Sequence, residues 1–381
     1  MTMSTVNGHC DPRLDRLRQV FEANFTDGCE VGAAVAVVED GEVLASLWGG
    51  SKSPGGEPWQ EDTIVNVFST TKGMVALAVQ ILVDRGKISM DSPVADYWPE
   101  FAAAGKQDIT VAQLMSHQAG LAALRQQLEA DAGYDWDGIC AMLAAEEPWW
   151  TPGEKHGYHA ISFGWLGGEL VRRVDGRDVA TFIREEIALP SGADFYLGFG
   201  GDLDARCAEM SELSTDPVPA GEPNLFQLMM SDLEGLTARA FTNPPALMQP
   251  GAVNSRAWRG AQVPGANGHS SALSLARIYG NAAGLLSAEA IATCGRELVQ
   301  GPDAVLELET RFSVGFMLPQ PHMSFGSGEG SFGHAGAGGS LAFYDPKRRL
   351  GFAYVMNRMG PHILLDPRAY RLLTAVYGED N

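Results

Sequence analysis

The spacing of apolar residues divides the chain into strand-rich ends and a helical middle. Residues 11–25 have apolar positions at helical spacing. Two apolar runs follow, residues 31–38 and 42–48, joined through Asp40-Gly41. An Asp-Gly pair between two apolar runs is typical of a β-hairpin. The first part of the chain is therefore predicted to be a helix followed by two paired strands.

Helical spacing dominates the middle of the chain. A short extended run, residues 63–68, leads into a helix that begins at Ser69 and continues to about Asp84. Further helices are predicted at residues 110–117, 124–130, 136–145, 161–174 and 179–189. Residues 190–270 are rich in glycine and proline, which predicts loops and short helices around an opening, with strand content at residues 195–199.

Strand patterns return near the C-terminus. Residues 274–286 are predicted to be helical, residues 308–317 and 340–357 to be strands, and residues 367–377 to be a closing helix. The pair Asp345-Pro346 interrupts the second of these strand regions.

This order of elements predicts an α/β fold of the α+β type. Strands at both ends imply an antiparallel sheet built from the N- and C-terminal segments, flanked by helices, with a mostly helical inserted domain. We expect residues 1–86 and 272–381 to form the α/β domain and residues 87–271 the inserted domain, because 381 residues exceed the usual size of one core. A functional site is expected between the two parts.

Charge and composition narrow the possible partners. Hydrophobic residues make up 45% of the chain and charged residues 19%, as in globular proteins. The net charge of −20 disfavours nucleic acid and anionic membranes as partners. No apolar run reaches 18 residues, so no membrane-spanning helix is predicted. The sequence leaves the oligomeric state open.

The cysteines and the N-terminus favour a reducing compartment. The cysteines form no C-x-x-C pair and are odd in number: Cys10, Cys29, Cys140, Cys207 and Cys294. Residues 1–14 lack the basic and apolar regions of a signal peptide, so a cytoplasmic location is expected. The spacing of His156 and His159 is weak evidence for zinc, and neither a metal nor another cofactor is predicted.

Ser69 and Lys72 form the first candidate for chemistry. Three residues apart at the start of a helix, they share one face of its first turn. Free backbone N–H groups and the positive end of the helix dipole lie at the same point. A serine nucleophile needs such a proton acceptor and such donors. Alternatively, Ser69 is an ordinary N-cap, because serine is a favoured residue at that position. The S-x-x-K spacing alone decides little, since it arises about once by chance in a chain of this length.

Two other regions offer groups that could complete such a site. Tyr158 follows a Pro-Gly turn and precedes a helix, so it is expected on a loop, where a tyrosine packs more often than it reacts. Residues 333–340, Gly-His-Ala-Gly-Ala-Gly-Gly-Ser, lie where a strand begins. Their backbone N–H groups could join that of Ser69 in an oxyanion hole, or the segment could be a glycine-rich turn around a buried His334.

These regions together resemble the serine β-lactamase and penicillin-binding-protein superfamily, and most closely its family VIII carboxylesterases. Ser69-x-x-Lys72 is similar to the family's nucleophile motif. Residues 109–121, ITVAQLMSHQAGL, resemble the family segment ITVxxLLSHTSGL. Tyr158 matches the family tyrosine, and residues 333–340 lie where the family has its K-T-G box. The resemblance covers about residues 11–378 and implies a β-lactamase/transpeptidase-like fold.

The resemblance also implies roles for individual residues. Ser69 would be the nucleophile, and Lys72 and Tyr158 would transfer protons as a coupled pair, with Tyr158 the expected base when water attacks the acyl-enzyme. The N–H groups of Ser69 and Ala337 would form the oxyanion hole. The residues expected to contact the substrate are His334, Gly336, Trp150 and His159.

Two departures from the family pattern favour ester substrates. Tyr158 is followed by His159-Ala160, so the family's asparagine is missing, and His334 replaces the K-T-G lysine that helps to hold a substrate carboxylate. An imidazole is a weaker anchor for a carboxylate than an ammonium group. We therefore expect hydrolysis of small carboxylic esters, with short acyl groups, through an acyl-enzyme on Ser69.

Several alternatives remain open from the sequence. The same site could hydrolyse β-lactams, cleave D-amino-acid peptides or transfer an acyl group to an alcohol. A protein that keeps the fold for binding alone is another possibility. A cluster of apolar residues could either pack in the core or line an apolar substrate pocket: Phe226, Leu228, Met229 and Met230.

Overall fold

Strands from both ends of the chain lie side by side in one antiparallel sheet. The computed structural model describes residues 6–218, 224–245, 249–321, 324–362 and 364–378. The strands of these ranges are β1 (Asn7–Cys10), β2 (Gly32–Glu39), β3 (Glu42–Gly50), β4 (Val65–Asn66), β5 (Phe195–Tyr196), β6 (His269–Ser270), β7 (Val299–Pro302), β8 (Glu309–Phe312), β9 (Phe332–Ala335), β10 (Leu341–Asp345) and β11 (Leu350–Met356). The main sheet has the order β1-β3-β2-β11-β10-β9.

The helices of the described ranges are concentrated between the two groups of sheet strands. They are α1 (Asp15–Thr26), α2 (Thr71–Asp84), α3 (Val111–Met115), α4 (Trp136–Ala145), α5 (Ser162–Asp175), α6 (Val179–Ile183), α7 (Leu225–Ser231), α8 (Leu236–Thr242), α9 (Arg256–Gly260), α10 (Ala272–Gly280), α11 (Ala282–Leu285), α12 (Ala288–Cys294) and α13 (Pro367–Tyr377). The predicted α+β arrangement is therefore confirmed.

The centre of the sheet is buried on both faces. β2 pairs with β3 on one side and with β11 on the other, with Val35 opposite Tyr354. Seven consecutive residues of β2 are buried, which explains why this strand is apolar throughout instead of alternating. Helix α10 packs directly on β2 and β11. A side chain at Gly351 would prevent this contact, because its Cβ would lie 2.2 Å from the carbonyl oxygen of Ala276.

Helix α2 occupies the centre of the helical part and sets the position of the site. All its residues from Thr71 to Leu82 are buried, and it packs against α5, α6 and β9. A helix that is apolar on every face is expected to be buried in this way. Among its buried residues is one cation, Lys72.

Several predicted boundaries are confirmed, and others are wrong. Helices α4 and α13 coincide with the predictions for residues 136–145 and 367–377. Residues 124–130 were predicted to be helical, but the chain there forms bends, and only a short 3₁₀ turn, Ala130–Tyr134, follows. The predicted strand at residues 308–317 is limited to β8 because residues 313–315 form a bend.

Three further sequence predictions concern a membrane-spanning helix, a metal site and the division into two domains. None of the helices in the described ranges has the length and apolar character needed to cross a membrane. The described residues also contain no group of three metal-binding side chains. The division into two domains stays a prediction. Residues 1–5 and 379–381 of the predicted α/β domain lie outside the described ranges. Residues 1–5 also belong to the segment, residues 1–14, in which the sequence predicts no signal peptide.

Candidate active site

Ser69 lies in a short 3₁₀ turn, Phe68–Thr70, that leads into α2. Phe68 has a φ of 44°, which is unusual for a residue with a large side chain. This backbone conformation turns the chain sharply between β4 and the helix, and Ser69 is left half-buried while its neighbours are buried. The N–H of Ser69 falls in the first turn of its helix, where no carbonyl of the same helix can accept from it.

Lys72 is fully buried directly beside Ser69. Its Nζ lies 2.9 Å from Ser69 Oγ, 2.6 Å from the carbonyl oxygen of Ala160 and 2.8 Å from that of Gly265. Burial without a carboxylate partner lowers the pKa of Lys72 well below its ordinary value. A neutral amine has two N–H groups and one lone pair. Donation to the two carbonyls leaves that lone pair for the hydroxyl of Ser69.

Tyr158 completes a compact group of three. Its ring centroid lies 4.8 Å from Lys72 Nζ, and it lines the same cleft as Ser69. Burial raises the pKa of Tyr158 above its ordinary value, and the nearby hydroxyl of Ser69 opposes this rise only in part. The structure therefore brings Ser69, Lys72 and Tyr158 together, with conditions that favour a neutral amine and a neutral phenol.

Asp303 holds the loop that carries Tyr158, and sequence reasoning missed it. Both carboxylate oxygens accept from the backbone N–H of Tyr158, at 3.0 and 3.1 Å. The same carboxylate accepts from the N–H groups of Val305 and Leu306 and from the hydroxyl of Thr310. An aspartate after Gly-Pro is common in turns, so the sequence gives no signal that this one supports a site.

The turn after β9 is tied to the Ser69 segment by side-chain hydroxyls. Ser340 Oγ donates to the carbonyl of Val67 at 2.8 Å and lies 3.0 Å from Thr70 Oγ1. Gly336 permits this contact, because a Cβ there would lie 2.4 Å from the carbonyl oxygen of Val67. Ala337 follows as the first residue of a short 3₁₀ helix, so its N–H also has no acceptor within that helix.

The nucleophile, the tyrosine and the second backbone donor line one narrow cleft. The residues that line it are Ser69, Tyr158, Phe241, Leu306, Met317, Ala335, Ala337 and Leu364. The cleft therefore contains a hydroxyl, a phenol and two available N–H positions, which are the groups that acyl transfer requires.

Trp150 and His159 are not among the residues that line this cleft, and their role in substrate binding stays a prediction. His159 is fully buried, and its Nε2 accepts from the N–H of Leu121 while its Nδ1 pairs with the carbonyl of Gly157. Burial lowers the pKa of His159 to about 4. The ring of Trp150 packs perpendicular to that of His159. Both side chains contact Gly157, the residue before Tyr158.

His334 and Gly336 also have structural contacts in this arrangement. His334 lies on β9 with no exposed surface, and its Nδ1 donates to the carbonyl of Ala335. Burial lowers the pKa of His334 to about 3. An uncharged, buried imidazole cannot anchor a substrate carboxylate. Neither residue is among those that line the cleft, so the contacts of His334 and Gly336 with substrate stay predictions.

A larger apolar cavity adjoins the cleft and shares Phe241 and Ala337 with it. Its volume is about 270 Å³. The other residues that line it are Phe68, Ser211, Glu212, Leu213, Phe226, Met229, Gln249, Val253 and Met359. Of the apolar cluster noted in the sequence, Phe226 and Met229 therefore face the cavity, whereas Met230 is exposed. The other lining residues come from separate segments without a recognisable spacing, so sequence reasoning missed them.

The arrangement of Ser69, Lys72 and Tyr158 agrees with the match to known families. A family model described as Beta-lactamase matches residues 17–376. The chain belongs to this family. The resemblance predicted from the motifs is thereby confirmed over almost the whole sequence.

Solved structures and curated proteins similar to this family member include named esterases. A family VIII carboxylesterase is 41% identical, with a TM-score of 0.88 over 98% of this chain and 99% of the other. A penicillin-binding-protein homologue from Caulobacter crescentus is 39% identical, also with a TM-score of 0.88 and the same coverage. The esterase/beta-lactamase LipL of Mycobacterium tuberculosis is 35% identical over 95% of this chain and 85% of its own length.

Proposed function

We propose that this protein is a carboxylesterase that hydrolyses neutral small-molecule esters through an acyl-enzyme on Ser69. The observation that carries the proposal is the position of Lys72 Nζ, 2.9 Å from Ser69 Oγ and between two carbonyls that occupy its N–H groups. A buried neutral amine in that position is a general base for the serine. Relatives that are named as esterases, one of them 41% identical, support the same reaction class.

Acylation begins with transfer of the hydroxyl proton of Ser69 to the lone pair of Lys72. Ser69 Oγ then forms a bond to the ester carbonyl carbon, and the carbonyl oxygen becomes an oxyanion. The N–H groups of Ser69 and Ala337 donate to that oxyanion, since both residues line the cleft. Such donors are fixed before the reaction, so they stabilise the developing charge without rearrangement.

Collapse of the tetrahedral intermediate expels the alcohol. Tyr158, a phenol because burial raises its pKa, donates its proton to the departing alkoxide and is reprotonated by the Lys72 ammonium group. Water then attacks the acyl carbonyl carbon and loses a proton to a base. Collapse of the second tetrahedral intermediate breaks the bond to Ser69 Oγ, which takes up that proton, and releases the carboxylic acid. Sequence reasoning favoured Tyr158 as the base for the attack of water, but the raised pKa of Tyr158 and the lowered pKa of Lys72 favour Lys72.

Neutral esters fit the site better than substrates with a carboxylate. His334 is uncharged, and none of the described residues that line the cleft or the larger cavity is a lysine or an arginine. A substrate carboxylate would enter without a cationic partner, which is costly in a partly desolvated site. β-Lactam hydrolysis remains the second candidate because relatives carry that name, and D-amino-acid peptides and acyl transfer rank below it.

The test is hydrolysis of p-nitrophenyl acetate by the wild type and by Ser69→Ala. We expect the variant to lose at least about 10³-fold in kcat/KM, because the nucleophile is removed. Ser89→Ala changes an exposed serine outside the site and serves as the matched control. Undiminished hydrolysis by Ser69→Ala would rule out the proposed nucleophile. Faster turnover of a chromogenic cephalosporin than of any ester would favour the second candidate.

A further inference from the structure

The cavity beside the cleft is lined by apolar groups over most of its surface. Eight of its eleven lining residues have apolar side chains, among them Phe226, Met229, Phe241 and Val253. The three polar ones are Ser211, Glu212 and Gln249. An apolar cavity with few polar groups favours a hydrocarbon chain over a sugar, a peptide or an ion.

The position of Tyr158 decides which half of an ester enters the cavity. The alcohol oxygen must lie within reach of Tyr158 to receive a proton, so the alcohol belongs in the narrow cleft, which Tyr158 lines. The larger cavity does not include Tyr158 in its lining. It meets the cleft at Phe241 and at Ala337, and the N–H of Ala337 is the donor proposed for the carbonyl oxygen. The group on the other side of that carbonyl is the acyl chain.

The size of the cavity limits the length of that chain. Its volume is about 270 Å³. An apolar cavity of roughly 150 Å³ holds a benzene molecule, which has six carbon atoms. Scaled by volume, this cavity accommodates roughly ten carbon atoms. That length exceeds the short acyl groups expected from the sequence.

Glu212 adds a charge to the lining. It is exposed, and one of its carboxylate oxygens accepts from the N–H of Gly251 at 2.9 Å, which holds the side chain in place. The acidic side chain disfavours an acyl group that ends in a carboxylate. A neutral chain is therefore the better occupant.

We propose that the preferred substrates are esters of uncharged, medium-chain fatty acids with about eight to ten acyl carbons, and that the larger cavity binds the acyl chain. This specificity rests on the proposed esterase function. Each methylene that enters the cavity is expected to raise kcat/KM about fourfold until the cavity is full.

The experiment compares p-nitrophenyl esters from acetate to palmitate. We expect kcat/KM to rise with chain length, to reach a maximum at octanoate or decanoate, and to fall beyond it. A second series keeps acetate and lengthens the alcohol, and here no comparable rise is expected. A maximum at acetate or butyrate, or a gain that follows the alcohol chain, would overturn the proposal while leaving the esterase function intact. Absence of Ser69-dependent hydrolysis for every ester would overturn both.

Two neighbouring methionines on α7 provide a matched pair of variants. Met229 lines the cavity, whereas Met230 is 47% exposed and does not. Met229→Trp should lower the ratio of octanoate to acetate kcat/KM at least about tenfold by filling the cavity, and Met230→Trp should leave that ratio unchanged. If Met229→Trp does not fold, Val253→Phe tests the same volume from another segment. Equal ratios in the wild type and the folded cavity variant would overturn the proposal.

Discussion

Two buried side chains determine the chemistry at the scale of single residues. Lys72 and Tyr158 are both buried. Burial lowers the pKa of Lys72 and raises the pKa of Tyr158, which favours the neutral form of each side chain. A neutral amine accepts a proton and a neutral phenol donates one. The same environment thus gives the two residues opposite roles around Ser69.

The pH dependence of activity tests the role of Lys72. The base form of Lys72 exists above its pKa. We therefore expect kcat/KM to be maximal above this lowered pKa and to decrease as the pH falls through it. We therefore expect activity at neutral pH, measured with p-nitrophenyl acetate across the range in which the protein stays folded. Activity that appears only near the ordinary lysine pKa would contradict a neutral resting amine.

Replacement of Lys72 by arginine separates its base function from its charge. Lys72→Arg keeps donors beside Ser69 but supplies no lone pair at any working pH. We expect a loss of about 10²–10⁴-fold in kcat with the fold retained, as measured by circular dichroism and steady-state kinetics. Retention of more than a tenth of the wild-type kcat would show that Ser69 has another base.

At the scale of elements, the site depends on contacts between segments that are distant in sequence. The first turn of α2 supplies Ser69 and Lys72 at a fixed spacing, which is why the sequence could predict this pair. Tyr158 was predicted from a motif, and its supporting residue Asp303 was not. Sequence patterns also could not show that His159 is buried, because a buried position and a position in contact with substrate favour the same residue type.

Asp303→Asn tests whether the loop position of Tyr158 affects catalysis. The charge that accepts from the N–H of Tyr158 would be lost, and one carboxylate acceptor would become a donor. We expect kcat for p-nitrophenyl acetate to fall at least about tenfold with a smaller change in KM, because Tyr158 would be misplaced relative to Ser69.

Asp345→Asn is the matched control for this variant. Asp345 is also fully buried and accepts from the backbone N–H groups of Ser327 and Lys347, but it lies away from the site, at the end of β10. Its replacement should lower stability while leaving kcat per folded molecule unchanged. Equal effects of the two substitutions on kcat would assign Asp303 to folding alone.

At the scale of the whole molecule, the sheet joins the two ends of the chain and thereby assembles the cleft. The sequence predicted that strands from both ends share one sheet, because apolar strand patterns occur at both ends, but it did not predict that β2 pairs with β11. β9 was missed as a strand, because its four residues, Phe-Gly-His-Ala, have no strand pattern. The shape of the apolar cavity was equally unpredictable, since separate segments contribute single side chains to it.

Buried histidines should make the folded state sensitive to mild acid. Burial lowers the pKa of His159 to about 4 and of His269 and His334 to about 3. Below about pH 6.5 these histidines bind protons in the unfolded chain but not in the folded protein. The stability that comes from keeping them neutral is therefore present above that pH and is lost as the pH falls below it. Each such histidine lowers the unfolding free energy by up to about 1.4 kcal/mol for every pH unit that the pH falls below about 6.5.

Urea unfolding at constant ionic strength measures this loss. We expect the unfolding free energy of the wild type to fall relative to that of His269→Gln, by up to about 1.4 kcal/mol per pH unit below about pH 6.5. Buried Glu30 acts in the opposite direction in the same window, because burial raises its pKa to about 7, so the wild type is compared with the variant and not read alone. Equal pH dependence of the two proteins would contradict the neutral state of His269.

The central claim is that Ser69 carries the acyl group during turnover. Rapid acid quenching of the reaction with p-nitrophenyl octanoate, followed by intact-mass and peptide fragmentation analysis, tests it directly. The proposed mechanism predicts an octanoyl adduct of at most one group per chain, located on Ser69 and not on the adjacent Thr70 or Thr71, and no adduct in Ser69→Ala. An octanoyl group on another residue such as Ser340, or turnover by Ser69→Ala at the wild-type rate, would contradict the claim.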